Sequence, residues 1–140
     1  MSDLVCQVFG PGEGQIHRPS GHPIAEMALV KLYKVTGDEK YLQTAKYFVE
    51  ETGRGNKTDI KLSEYSQDHK PILQQDEIVG HAVRAGYLYS GVADVAALTH
   101  DTAYFNALTR IWENMAGKNS LSQAESVPAH KVKDSVRTMN

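Results

Sequence analysis

A repeat with an offset of 63 residues constrains this chain more than any other feature: Thr36 aligns with Thr99, Asp38 with Asp101, Tyr41 with Tyr104 and Glu50 with Glu113. Around each copy the apolar spacing is helical. Tyr41, Leu42, Ala45, Phe48 and Val49 line one face of a helix, with Lys40, Lys46, Glu50 and Glu51 on its wet side. Tyr104, Phe105, Leu108, Ile111, Trp112 and Met115 repeat that spacing and extend it by a turn. A tight turn precedes each, Val35-Thr36-Gly37-Asp38 and Leu98-Thr99-His100-Asp101. In these turns Gly37 suits a left-handed C-cap, and Asp38 and Asp101 suit acceptors for the free N–H groups of the next helix. The pattern predicts an all-α chain with two antiparallel helical hairpins, about Pro23 to Thr52 and Asp76 to Ala116.

The first helix of each hairpin differs from the second. Ile24 to Val35 and Ile78 to Leu98 carry apolar or small residues around most of their circumference, which predicts burial on several sides. Gly80, Ala82, Ala85, Gly86, Ser90, Gly91 and Ala93 would let neighbouring helices approach closely. Between the hairpins, Gly53 to Pro71 is polar and turn-rich and reads as a long excursion within one domain, of the kind that lines a site.

Composition excludes more than it assigns. A length of 140 residues fits one domain, and 41% hydrophobic with 23% charged residues is ordinary for a globular protein. A formal charge of -2 with scattered lysines gives no basic field, so neither nucleic acid nor an anionic membrane is expected as a partner. Cys6 is the only cysteine, which leaves no intrachain disulfide and no cysteine-based zinc cluster; it reads as a small buried apolar side chain. No apolar run reaches membrane-spanning length and MSDLVCQVFGPGEG is not a secretion signal, so a cytoplasmic location is expected of the chain as written.

Two histidines carry the chemistry. Gly21-His22 and Gly80-His81 each stand at the head of a helical run, and Pro23 fits the first helical position. His22 at its helix mouth can exchange hydrogen bonds with hydroxyl groups of a ligand, and His81 reads as lying within the opening turns of its helix; the plainer alternative for each is a half-buried ring satisfied by a neighbouring carbonyl. Other candidates are weaker. His17, His22 and Glu26 give at most an incomplete metal set, and Glu26 reads better as a brace for His22 or as a residue facing water. The glycine run Gly10 to Gly14 lacks the Gly-Lys-Ser/Thr ending of a phosphate loop. Asp76 and Glu77 are adjacent, whereas a glycosidase pair flanks the scissile bond from separate positions, so they read as helix-start acids. Tyr87, Tyr89 and Trp112 read as packing residues, Trp112 as core.

The segments SGHPIAEMALVKLYKVTGD and DEIVGHAVRAGYLYSGVADVAALT resemble those of the beta-L-arabinofuranosidases, glycoside hydrolase family 127, over roughly Leu4 to Gly117. The resemblance implies part of an (α/α)6 toroid of the six-hairpin glycosidase kind, and implies that His22 and His81 face the sugar pocket. It also implies a zinc-held cysteine nucleophile and a glutamate acid/base in the full-length enzymes. Neither has a matching position here, so the resemblance implies no catalytic residue and no zinc in this chain. A retaining hydrolysis needs both groups on opposite sides of the bond. The reading is therefore a truncated hydrolase segment that keeps part of an arabinofuranoside pocket without turnover. A helical-repeat module that binds a protein or peptide is the alternative.

After Lys118 the chain departs from the family. Residues 1–118 read as the partial toroid and 119–140 as a disordered, unrelated tail, NSLSQAESVPAHKVKDSVRTMN. Shifted by one nucleotide, codons chosen for that tail permit KKLFITGGIGSRTQGEGFGPDYEL, which resembles the family's next segment and suggests a frameshift. An incomplete ring leaves apolar helix faces open, so self-association through them is expected.

Overall fold

In the computed structural model the described residues are 1–54 and 63–126, with side chains of the last helix described as far as Lys118. Five α-helices follow in order: α1 (Ser2–Val8), α2 (Ile24–Thr36), α3 (Glu39–Glu51), α4 (Ala82–Thr99) and α5 (Thr102–Ser126). A single 3-10 turn, Ile72–Gln74, precedes α4. Among the described residues there is no strand, only an isolated bridge between Phe9 and Ile16.

The two hairpins are α2–α3 and α4–α5, and α2 packs against α4 as well as α3. Their turns repeat at the level of single atoms. Thr36 and Thr99 each donate a hydroxyl to the carbonyl four residues back, on Leu32 and Val95, both at 2.7 Å. Asp38 accepts from Lys40 N at 3.2 Å and Asp101 from Ala103 N at 3.0 Å, satisfying the free donors of α3 and α5. The core lies where α2, α3 and α4 meet, with Val30, Ala45, Phe48, Val49 and Val92 almost wholly buried. Tyr41 and Tyr104, one per repeat, are both buried. α1 adds Phe9 from its C-terminal side, which meets Phe48 edge-on at 5.6 Å.

Several expectations need correction. α4 begins at Ala82, so Ile78 to Gly80 lie outside it; Gly80 has φ 76 and its bare Cα abuts the Glu64 and Tyr65 backbone, not another helix. Of the small residues expected to admit a neighbouring helix, Ala85 and Gly91 are buried; Gly91 approaches so closely that an added Cβ would sit 2.9 Å from Glu26 Cβ on α2. Ala82, Gly86, Ser90 and Ala93 are exposed instead. They form the floor of an apolar groove between α4 and α5 of about 990 Å³, walled by Phe105 and Trp112. Trp112 is not core: it and Phe105, two helical turns apart on one stripe of α5, are both 65% exposed, while Tyr104, Ala107 and Ile111 take the inward face. Cys6 is half-buried, its Sγ directed at the Lys40 carbonyl.

α5 also runs past Ala116. Gly117 weakens a helix but does not end it, and the helix continues to Ser126. Of the expected tail, 119–140, residues 119–126 continue the backbone of α5, and residues 127–140 lie outside the described residues. No helix among the described residues is long and apolar enough to cross a membrane.

Candidate functional site

The two Gly-His heads sit at the starts of α2 and α4, the helices that pack together. His22 lies just before α2, behind Pro23, and its Nδ1 accepts from Ile24 N at 3.3 Å. His81 is the N-cap residue of α4 and not part of its first turn; its Nδ1 accepts from Arg84 N at 3.4 Å. Both rings are exposed. A neutral imidazole that accepts at Nδ1 carries its proton at Nε2, so each ring presents an N–H donor outward. Such groups suit oxygen acceptors on a ligand.

Aromatic neighbours hold both rings from the side. Tyr87, one turn beyond Arg84, meets the His22 ring edge-on at 5.8 Å, and Tyr65 meets His81 at 5.5 Å. Tyr89 does pack as expected, its hydroxyl donating to Gln75 Oε1 at 2.7 Å; burial pushes that phenol up to about 12.

His81 is placed by a loop whose buried glutamines do the work of missing secondary structure. Gln67, fully buried, stands at φ 59, and its amide donates to the carbonyls of Tyr65, Val79 and His81 at 3.0, 2.9 and 3.2 Å. Gln75, equally buried, donates to the carbonyls of Gln67 and Lys70 at 2.8 and 2.9 Å. From α5, Arg110 clamps the same turn, donating to the Leu73 and Gln75 carbonyls at 3.0 and 3.1 Å. Buried backbone acceptors must find donors, and here long side chains supply them. Sequence reading missed these residues because nothing in their spacing marks them.

Between the heads lies a polar pocket of about 140 Å³ lined by Ser20, Gly21, Glu26, Asp68 and Arg84 among others. The Gly53 to Pro71 excursion thus reaches this pocket through Ser66 and Asp68, its residues 55–62 lying outside the described residues. Neither histidine ring lines it. Instead Arg84 joins the heads: its guanidinium donates to the Gly21 carbonyl at 3.3 Å while its backbone N–H donates to His81 Nδ1. Glu26 is 1% exposed and accepts from Ser20 Oγ at 2.6 Å; burial raises its carboxyl above the ordinary range, partly offset by that hydrogen bond and by Arg84.

The remaining candidates separate. Asp76 pairs with Lys70 at 2.8 Å, which holds its carboxyl below the usual range, and Glu77 pairs with Lys118 at 2.6 Å. With α4 starting at Ala82, neither caps it. Gly10 to Gly14 form an irregular turn organised by Gln15, whose amide donates to the carbonyls of Cys6, Gln7 and Phe9. Among the described residues no group of three or more histidine, cysteine, aspartate or glutamate side chains could hold a metal. Cys6 on α1 and the buried Glu26 do not build the donor set that zinc requires.

Comparison with known proteins agrees with this architecture. The family model for the GH127 beta-L-arabinofuranosidase catalytic domain matches residues 1–121. A non-reducing end beta-L-arabinofuranosidase from Bifidobacterium longum subsp. longum is 35% identical over 132 residues, covering 82% of this chain and 20% of that protein. A solved GH127 beta-arabinofuranosidase superposes with a TM-score of 0.75 at 54% identity, over 81% of this chain and 17% of its own. The GH127 beta-L-arabinofuranosidase of Geobacillus stearothermophilus gives 0.72 at 39%, over 81% and 20%. The chain therefore spans about a fifth of the length of the curated relative it matches. It belongs to the GH127 beta-L-arabinofuranosidase catalytic-domain family, and its two hairpins are part of that family's α/α toroid.

Proposed function

We propose that this chain supplies part of the sugar-holding wall of a beta-L-arabinofuranosidase-type glycoside hydrolase, with His22 and His81 as substrate contacts. The observation that carries the reading is the joining of the two Gly-His heads through Arg84, with both rings exposed and both Nδ1 atoms occupied by backbone N–H groups. Two Nε2–H donors on adjacent helix heads, each flanked by an aromatic ring, suit the acceptor oxygens of a furanoside. The names of the relatives point to the same sugar class.

Turnover is a separate matter. A nucleophile and an acid/base must flank the scissile bond, and the heads offer two hydrogen-bond donors in their place. Zinc, which the resemblance attaches to the full-length enzymes, finds no donor set among the described residues and enters no step here. Binding without hydrolysis is the expected behaviour. The open groove beside Phe105 and Trp112 adds self-association to the proposal, since exposed apolar stripes of this kind seek cover.

The test is a titration of the chain with an arabinofuranoside, read by the histidine ring resonances, alongside an assay for released arabinose with zinc supplied. Perturbation of His22 and His81, lost in His22→Ala and His81→Ala, with no release, is expected. Rings that stay unmoved at saturating sugar, or zinc-dependent release abolished by Cys6→Ser, would overturn the reading.

A further inference from the structure

Glu26 is the polar group that the sugar-contact reading leaves unused. It lies in the first turn of α2, is 1% exposed, and has Gly91 of α4 packed on its Cβ. A buried carboxylate is costly unless hydrogen bonds and charge hold it. Oε1 has such a bond, from Ser20 Oγ at 2.6 Å. Oε2 has no hydrogen-bond partner, and neither has Arg84 Nε, although both atoms are buried and both residues line the same small pocket. The other charged groups facing this pocket are Arg18, from the segment before α2, and Asp68, from the loop before α4.

Ser20 stands between two acceptors with one proton to give. Its Oγ is 2.6 Å from Glu26 Oε1 and 3.1 Å from the His22 carbonyl. A hydrogen bond to an ionised carboxylate is shorter and stronger than one to a neutral carbonyl, so the proton goes to Glu26. The Ser20-Gly21-His22 turn is thereby tied to a buried anchor on α2. From the opposite side the Arg84 guanidinium grips the same turn at the Gly21 carbonyl, 3.3 Å away, while the Arg84 backbone N–H donates to His81 Nδ1. One residue thus touches both heads.

We propose that Glu26 is a positioning residue for His22, acting through Ser20, and that Arg84 fixes His22 and His81 relative to each other. This deepens the reading of the two histidines as sugar contacts and rests on it. Glu26 sets where the His22 ring points; Arg84 sets the distance between the two donors. A sugar that bridges both rings would sense either change.

The test compares the full chain with its Glu26→Gln, Ser20→Ala and Arg84→Lys variants. Imidazole resonances and titration curves of His22 and His81 are recorded by NMR, then the affinity for a methyl arabinofuranoside, with circular dichroism confirming the fold. Glu26→Gln, Ser20→Ala and Arg84→Lys should each move the His22 signals and leave His81 in place, because Arg84 meets His81 through its backbone N–H, which the substitution keeps, and meets the His22 turn through its guanidinium. Sugar affinity should fall roughly tenfold, about what one hydrogen bond to a charged group is worth. His22 signals unchanged in a folded Glu26→Gln and in Ser20→Ala would overturn the proposal. If wild type shows no response to sugar, the sugar-contact reading fails, and the ring signals still decide the positioning role. If Glu26→Gln does not fold, Ser20→Ala decides, because it cuts the link and leaves the buried carboxylate in place.

Discussion

Gly37 and His100, 63 residues apart, occupy the same left-handed position after equivalent helices, with φ 71 and φ 54. Glycine adopts this conformation freely, whereas a side chain there costs roughly 1 kcal/mol. His100→Gly should therefore stabilise the chain slightly, by up to about 0.5 kcal/mol after the added chain entropy of glycine is counted. Gly37→Ala should destabilise it by a similar amount although open space surrounds that Cα. Urea midpoints at constant m-value measure both, and a destabilised His100→Gly would show that the His100 side chain makes a contact worth more than the strain.

Gly91 and Gly86 lie on the same helix and should respond oppositely to alanine. At Gly91 the new methyl would meet Glu26 Cβ at 2.9 Å, forcing α2 and α4 apart, for about 1–3 kcal/mol lost. At Gly86 nothing lies within 4 Å, so alanine should add about 0.5–1 kcal/mol through helix propensity alone. Equal effects at both positions would contradict the close α2–α4 approach.

Stability should carry the signature of Glu26. Its carboxyl is raised above the ordinary 4.5 by burial, so the folded state holds the proton more tightly than the unfolded one. That contribution is present in full below 4.5 and is lost as pH rises through the raised value. Asp3, Asp38 and Asp76, lowered by their lysine partners, act in the other direction, and their contribution disappears as pH falls below 3.8. Glu26→Gln should therefore gain on wild type as pH rises from about 4 to 7. A difference in unfolding free energy that stays flat over that window would show that Glu26 titrates normally.

The stripe of Phe105 and Trp112, each 65% exposed, should control self-association. Sedimentation velocity over a concentration series should show reversible oligomers that the double variant Phe105→Ser, Trp112→Ser abolishes without loss of helicity. Identical sedimentation of variant and wild type would remove the groove as the contact.

The sequence by itself determined the hairpins, their turns and their family. Helical spacing, a capping aspartate and a left-handed turn are local properties, legible wherever one face of a helix is buried, and Thr36, Asp38 and Tyr41 announce them twice. Neighbours in space are not written in local periodicity. Trp112 has the spacing of a core residue, yet which stripe of α5 turns inward depends on where α4 lies, and that stripe is Tyr104, Ala107 and Ile111. Likewise nothing around Gln67 or Gln75 marks them as the buried donors that seat His81, because their acceptors are loop carbonyls as far as fourteen residues away. Tertiary structure alone decided the site as well. Glu26 and Arg84 are unremarkable helix residues until α2 packs on α4, and only then do a buried carboxylate and a guanidinium close on one Ser20-Gly21-His22 turn from two sides.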